Sequence, residues 1–208
     1  MQKHLLALLC LSLPALAEMP KYDTSRQRDL EAWKPGITEY SRRHYGEAEW
    51  KLTPKCVILH YTAGTTFPWN LVRSSEFAGE APGLASHYVV EGPKVYQILP
   101  PTVRSRAAFG INHRAVNIEM VGADAADMMN NRRQTMDASA QLVLALLREF
   151  QLKPSDVYSH QQVALMDKNV VPWVLDLVNP APYHKIDPGV EPMAYILKQV
   201  RAGWQAPR

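Results

Sequence analysis

Unbroken apolar runs and short alternating segments, set between turn residues, dominate the middle of the chain. Cys56-Val57-Ile58-Leu59-His60 is an apolar, partly β-branched run that ends on an imidazole and leads into the small-residue turn Thr62-Ala63-Gly64. A run of this kind, bounded by turn residues, reads as a buried strand. Phe67-Pro68-Trp69-Asn70-Leu71-Val72 places a proline near the first turn of a short helix. Ser86-His87-Tyr88-Val89-Val90 and Val95-Tyr96-Gln97-Ile98-Leu99 flank Glu91-Gly92-Pro93-Lys94 and predict a hairpin. Ala115 to Gly122 alternates and ends on glycine, which predicts a further strand. Asp137 reads as the N-cap of a helix with Leu142, Leu146, Leu147 and Phe150 on one face. Val157 to His160 is a short strand, and Pro192 to Trp204 a second helix with Ile196, Leu197 and Val200 inward. Upstream, Glu18 to Pro54 is polar with little periodicity and reads as an arm around the core. It carries one short helix from Ser25 to Trp33, and Arg42-Arg43-His44 lie on a solvated face. Strands with interspersed helices in 208 residues predict a single α/β (mixed) domain, with a central, mostly β sheet flanked by helices.

The N-terminus changes where this domain is expected to work. Lys3, the apolar run Leu5 to Leu13 and Ala15-Leu16-Ala17 fit the three regions of a cleaved signal peptide over residues 1–17. That run is too short to span a bilayer, and nothing later in the chain reads as transmembrane. The expectation is export, to the periplasm or the medium. Cleavage removes Lys3 and lowers the formal charge from +3 to +2. This balance argues against dedicated nucleic-acid binding and suits, at most, an anionic polymer. It also removes Cys10, leaving Cys56 as the single cysteine and no intrachain disulfide.

The candidate chemistry lies in four segments: Ile58-Leu59-His60-Tyr61, Ile118-Glu119-Met120, Tyr158-Ser159-His160, and Lys185-Ile186-Asp187-Pro188-Gly189. Each is weak by itself. A lone histidine at a strand end is most often a satisfied core-edge group, Glu119 on local pattern is an ordinary strand carboxylate, and Asp187 is a turn-former before Pro-Gly. In this order, however, the four segments resemble the zinc-dependent N-acetylmuramoyl-L-alanine amidases, a family that shares its fold with the peptidoglycan recognition proteins. The resemblance runs from about Lys55 to Leu197. Its most specific piece is Lys-x-Asp-Pro-Gly after a second histidine, and Ser86-His87-Tyr88, the Gly92 turn and the run Gly110 to His113 support it.

The resemblance implies Zn2+ held by His60, His160 and Asp187, two imidazoles and a carboxylate that leave a fourth position open. It further implies Glu119 as the proton carrier and Lys185 as the stabiliser of the oxyanion. His184 is a rival ligand beside Lys185, while His87 reads as core or cleft wall and His113 and His44 as surface or loop groups. The implied substrate is peptidoglycan or muropeptides, cut between N-acetylmuramic acid and L-alanine. Two other functions remain open: a module that binds peptidoglycan without cutting it, and a zinc peptidase acting within the stem peptide. The expected organisation is an arm over 18–54 and a zinc amidase domain over 55–208.

Three departures from the family pattern stand out. Residues 161–184 form a long proline-containing segment where the family has a short one, either a cleft wall or a packing insertion over a sheet edge. Arg106-Ala107-Ala108 stands where relatives commonly carry a histidine, and Asn117 replaces a small residue before the Ile-Glu pair.

Overall fold

The computed structural model describes residues 20–204, so the expected signal peptide lies outside the described residues. In chain order the elements are β1 (Tyr22–Asp23), α1 (Leu30–Tyr45), β2 (Cys56–Tyr61), α2 (Trp69–Arg73), β3 (Tyr88–Glu91), β4 (Lys94–Gln97), β5 (Ala115–Met120), α3 (Ala125–Asn131), α4 (Arg133–Glu149), β6 (Val157–Ser159), α5 (His160–Ala164) and α6 (Val190–Gly203). The strands form one sheet in the order β1-β4-β3-β5-β2-β6. Among the described strands only the β3–β4 hairpin is antiparallel. The mixed α/β architecture and every expected strand are present. No helix among the described residues is long and apolar enough to cross a membrane.

Successive strand side chains point to opposite faces, and this alternation divides the core. Val57, Leu59, Val116, Ile118 and Met120 face α4 and α6, where Leu142, Leu146, Leu147, Ile196 and Val200 cover them. Cys56, Ile58 and Ala115 face the other way, against Val163, Val171 and Val174 of the 161–184 segment. Further along that second face, Val89 and Tyr96 pack on Trp33, Ile37 and Tyr40 of α1. Both faces of the central strands are therefore covered, which explains the unbroken apolar run of β2.

The region before the sheet is more structured than its sequence suggests. α1 has 16 residues, not one short helix ending at Trp33. Asp29 caps it by accepting from the Glu31 and Ala32 amides at 2.9 and 3.3 Å. Pro35 and Gly36 read as breakers, yet the helix passes through both, and a side chain at Gly36 would meet Pro82 at 3.1–3.3 Å. Trp33, Ile37, Tyr40 and His44 form a buried helical stripe. His44 is thus no surface group: it bonds Asp176 at 3.0 Å and Glu80 at 3.1 Å and stacks on Tyr40. His113 is also buried, stacked on Tyr45 at 4.1 Å. Both histidines fill space between α1 and the core. Asp137 is likewise not a cap, because α4 starts at Arg133 and the Asp137 carboxylate accepts from the Tyr195 hydroxyl of α6.

After α5, residues 165–184 run without regular secondary structure over the second face. Amides of Leu175 and Leu177 bond the carbonyls of Gly110 and His44, both at 2.8 Å. The Tyr183 hydroxyl bonds the Phe109 carbonyl at 3.0 Å. The segment covers the sheet beside the edge strand β6.

Candidate active site and metal centre

Strand parity brings the first two functional residues together. β2 and β5 pair in parallel with His60 opposite Glu119 and Ile58 opposite Asn117, so all four side chains share the second face. β6 pairs the other side of β2, with Leu59 opposite Ser159, and His160 follows as the first residue of α5. Ser159 makes that turn rigid. Its hydroxyl accepts from the Gln162 amide at 3.0 Å while the Gln162 side chain accepts from the Ser159 amide at 2.9 Å. Asp187 arrives from the loop before α6, and its carbonyl accepts the Gln161 amide at 3.1 Å.

Three ligand atoms converge here. His60 Nδ1 lies 2.9 Å from His160 Nδ1 and 3.3 Å from Asp187 Oδ2, and His160 Nδ1 lies 3.0 Å from the same oxygen. All three residues are buried, and among the described residues they form a group able to hold a metal ion. The exposed His184 is not part of it. Tetrahedral zinc with bonds of about 2.0–2.2 Å sets its ligand atoms roughly 3.3–3.5 Å apart, so this triangle fits with a slight opening.

Asn117 sets which nitrogen of His60 faces the triangle. His60 Nε2–H donates to Asn117 Oδ1 at 2.9 Å, while Asn117 Nδ2 donates to Ser105 Oγ at 2.9 Å. With its proton on Nε2, His60 presents the Nδ1 lone pair to the triangle. The Asn117 backbone N–H in turn donates to His87 Nδ1, and His87 Nε2–H donates to the Val103 carbonyl. Burial lowers His87 to about 4, so it is a neutral core residue.

Burial and charge act together in the cluster. Burial disfavours the Asp187 carboxylate, but hydrogen bonds from His160 and His60 hold it far below the usual range. Burial also opposes the His60 imidazolium, and the charges of Glu119 and Asp187 outweigh it and raise the group. His160 falls to about 4 through burial and the neighbouring His60 charge. Burial lifts Glu119 to about 7, partly offset by the nearby His60 charge. Glu119 Oε2 is buried without a partner and lines a narrow pocket of about 40 Å³ with Pro68, Leu71, Val72, Val89 and Arg106. Lys185 is exposed, and its charge acts on both Glu119 and His160.

Arg106 serves the wall of this pocket. Its guanidinium donates to the carbonyls of Glu80 at 2.6 Å, Pro82 at 2.5 Å and Phe77 at 3.2 Å, which holds the 77–82 loop in place. Arg106 and Asn117 both depart from the family pattern, and the local sequence assigns a task to neither. The parity of Asn117 with His60 and Glu119 was the available signal.

Two parallel strands, the head of α5 and the loop before α6 thus bring two imidazoles and two carboxylates together, a set that could hold a metal ion beside a carboxylate able to carry a proton. The family model described as N-acetylmuramoyl-L-alanine amidase matches residues 50–173, more than half of the chain, and the chain belongs to that family. Among solved structures, the amidase LysC from Clostridium intestinale URNW is similar with a TM-score of 0.53 at 18% identity, covering 74% of this chain and 93% of that one. The mutant structure of PlyL gives 0.53 at 14% identity, covering 74% and 88%. At these identities the likeness establishes the fold. No curated protein matches the chain.

Proposed function

We propose that this chain hydrolyses the amide between the lactyl group of N-acetylmuramic acid and L-alanine in peptidoglycan, with zinc held by His60, His160 and Asp187. The observation that carries the proposal is the 2.9–3.3 Å triangle of His60, His160 and Asp187 atoms, with Glu119 directly opposite His60 in the sheet, in a member of the amidase family. Zinc, when bound, supplies Lewis acidity that activates water near neutral pH and polarises a carbonyl.

The chain's own residues do the rest. Glu119, with a carboxyl lifted to about 7, takes a proton from the attacking water and returns it to the leaving amine. Lys185 supplies positive charge toward the oxygen that becomes anionic. Asn117 holds His60 in one tautomer, and the Ser159 capping box holds His160 at the head of α5. The substrate is a wall polymer outside the cytoplasmic membrane, which agrees with export directed by residues 1–17.

The test is incubation of the mature protein with purified sacculi, with and without a chelator and with Glu119→Ala, followed by mass spectrometry. Released peptides with a free N-terminal L-alanine are expected from the zinc-loaded wild type alone. Fragments cut inside the stem would indicate a peptidase, and sacculi bound but left intact by that form would indicate a binding module.

A further inference from the structure

The helix α2 separates two hollows. On one side, Pro68, Leu71 and Val72 line the Glu119 pocket. On the other lies a groove of about 440 Å³ that includes Ser25, Arg26, Arg28, Trp33, Trp69 and Arg73. More than half of the residues lining this groove precede the region matched by the family model.

The charge of the groove is one-sided. Asp29 is its single carboxylate, and its Oδ1 is committed to the α1 amides. Arg28 is committed as well. Its Nη2 donates to the carbonyls of Leu71, Ser74 and Leu84 at 3.3, 2.8 and 2.9 Å, which pins α2 to the following loop. Arg26 and Arg73 differ. Arg73 lies 4.2 Å from the Trp69 ring centre, and Arg26 lies 3.9–4.6 Å from the ring centres of Tyr96, Phe67 and Trp69. Among the described residues neither guanidinium meets an acceptor, and Arg26 Nη1 is buried against the rings without one. Two cations are thus aligned by aromatic faces with their hydrogen-bonding capacity unused.

We propose that Arg73 and Arg26, set around Trp69, form a binding site for carboxylate groups of the wall peptide. The proposal rests on the amidase reading for its substrate. A helix is about 10 Å across, and an extended peptide covers that distance in about three residues. A stem peptide whose first amide lies at Glu119 therefore reaches over α2 into the groove. Its carboxylates replace water on the solvent-facing nitrogens of the two guanidiniums in charge-assisted hydrogen bonds, while the buried Nη1 of Arg26 stays against the rings.

The test uses binding, so that turnover does not enter. Mature protein carrying Glu119→Gln is titrated by calorimetry with two matched N-acetylmuramyl tripeptides, one with free side-chain and terminal carboxylates and one with these groups as carboxamides. The acid is expected to bind about tenfold more tightly, the worth of one charge-assisted hydrogen bond, and the preference should shrink at high salt. Added Arg73→Gln or Arg26→Gln should bring the ratio toward unity, Arg73→Lys should retain part of it, and Lys198→Gln on α6 should leave it intact. Arg26 packs on three rings, so thermal unfolding is recorded for each variant. If Arg26→Gln fails to fold, the exposed Arg73 carries the test.

Equal binding of acid and amide, or a preference that survives Arg73→Gln, overturns the proposal. An acid preference in a protein that releases nothing from sacculi would instead remove the amidase reading and leave the groove standing.

Discussion

Asn117→Leu tests the logic of the metal centre at a residue that is not itself a ligand. The substitution keeps the branching and heavy-atom count of a fully buried side chain, with somewhat larger end groups, and deletes one acceptor and one donor group. His60 Nε2–H then loses its partner at 2.9 Å, and Ser105 Oγ loses the donor it had at the same distance. A buried donor left unpaired costs about 1–3 kcal/mol, and the lost bond to Ser105 about 0.5–1.5 kcal/mol more. The backbone bond from Asn117 to His87 Nδ1 survives, so the strand itself should hold. For the metal, loss of the group that orients a ligating imidazole lowers affinity about 10–100-fold, or about 1.4–2.7 kcal/mol. Zinc affinity is read by competition with a chromophoric chelator, and stability by urea unfolding of the metal-free protein. The expectation is weaker zinc binding together with a lower unfolding midpoint. Zinc affinity within twofold of wild type, alongside abolished binding in His60→Ala, would refute the claim that Asn117 sets the His60 tautomer.

Three further outcomes follow from the same structure. Lys185→Met should lower kcat on a soluble muramyl peptide by about 10²-fold or more, in the range seen for loss of an oxyanion-stabilising group, with zinc content unchanged; an unchanged kcat would remove Lys185 from the chemistry. At His44, burial disfavours the imidazolium, but Asp176 and Glu80 outweigh it and raise the group above its usual value. Its stabilisation is therefore complete below a pH of about 6.5 and lost as pH rises through the raised folded value. The wild type should exceed His44→Gln by about 1.5–3 kcal/mol at mildly acidic pH, a gap that narrows in alkali, and urea midpoints over a pH series that show a constant gap would contradict this. Leu146→Ala, at a fully buried position between α4 and the sheet, should cost about 2–5 kcal/mol in the same assay.

What could be read in advance followed from local periodicity. β2, the β3–β4 hairpin, β5, β6 and the inward faces of α4 and α6 each carry their signal within about ten residues. The order of His60, Glu119, His160 and Asp187 carried the family resemblance, and period-two alternation already put Asn117 and Glu119 on one face of β5. Other features escaped because they depend on contacts far apart in sequence. α1 contains Pro35 and Gly36 and buries the polar Ser41 and His44, so its helical stripe is visible only once Asp176 and Glu80 are in place to receive His44. Asp137 has the chemistry of a cap, and the 3D position of Tyr195 gives it a different partner.

The sequence by itself determined the strands and the class of fold, because those depend on residue type and short-range spacing, and the family resemblance pointed to the side chains that converge. Only the tertiary structure decided that His60 presents Nδ1, that His184 stands apart from the triangle, and that the arm supplies Arg26 to a groove behind α2. Each of these is set by the position of one or two atoms contributed by residues distant in the chain. Such positions follow from packing and not from any local pattern.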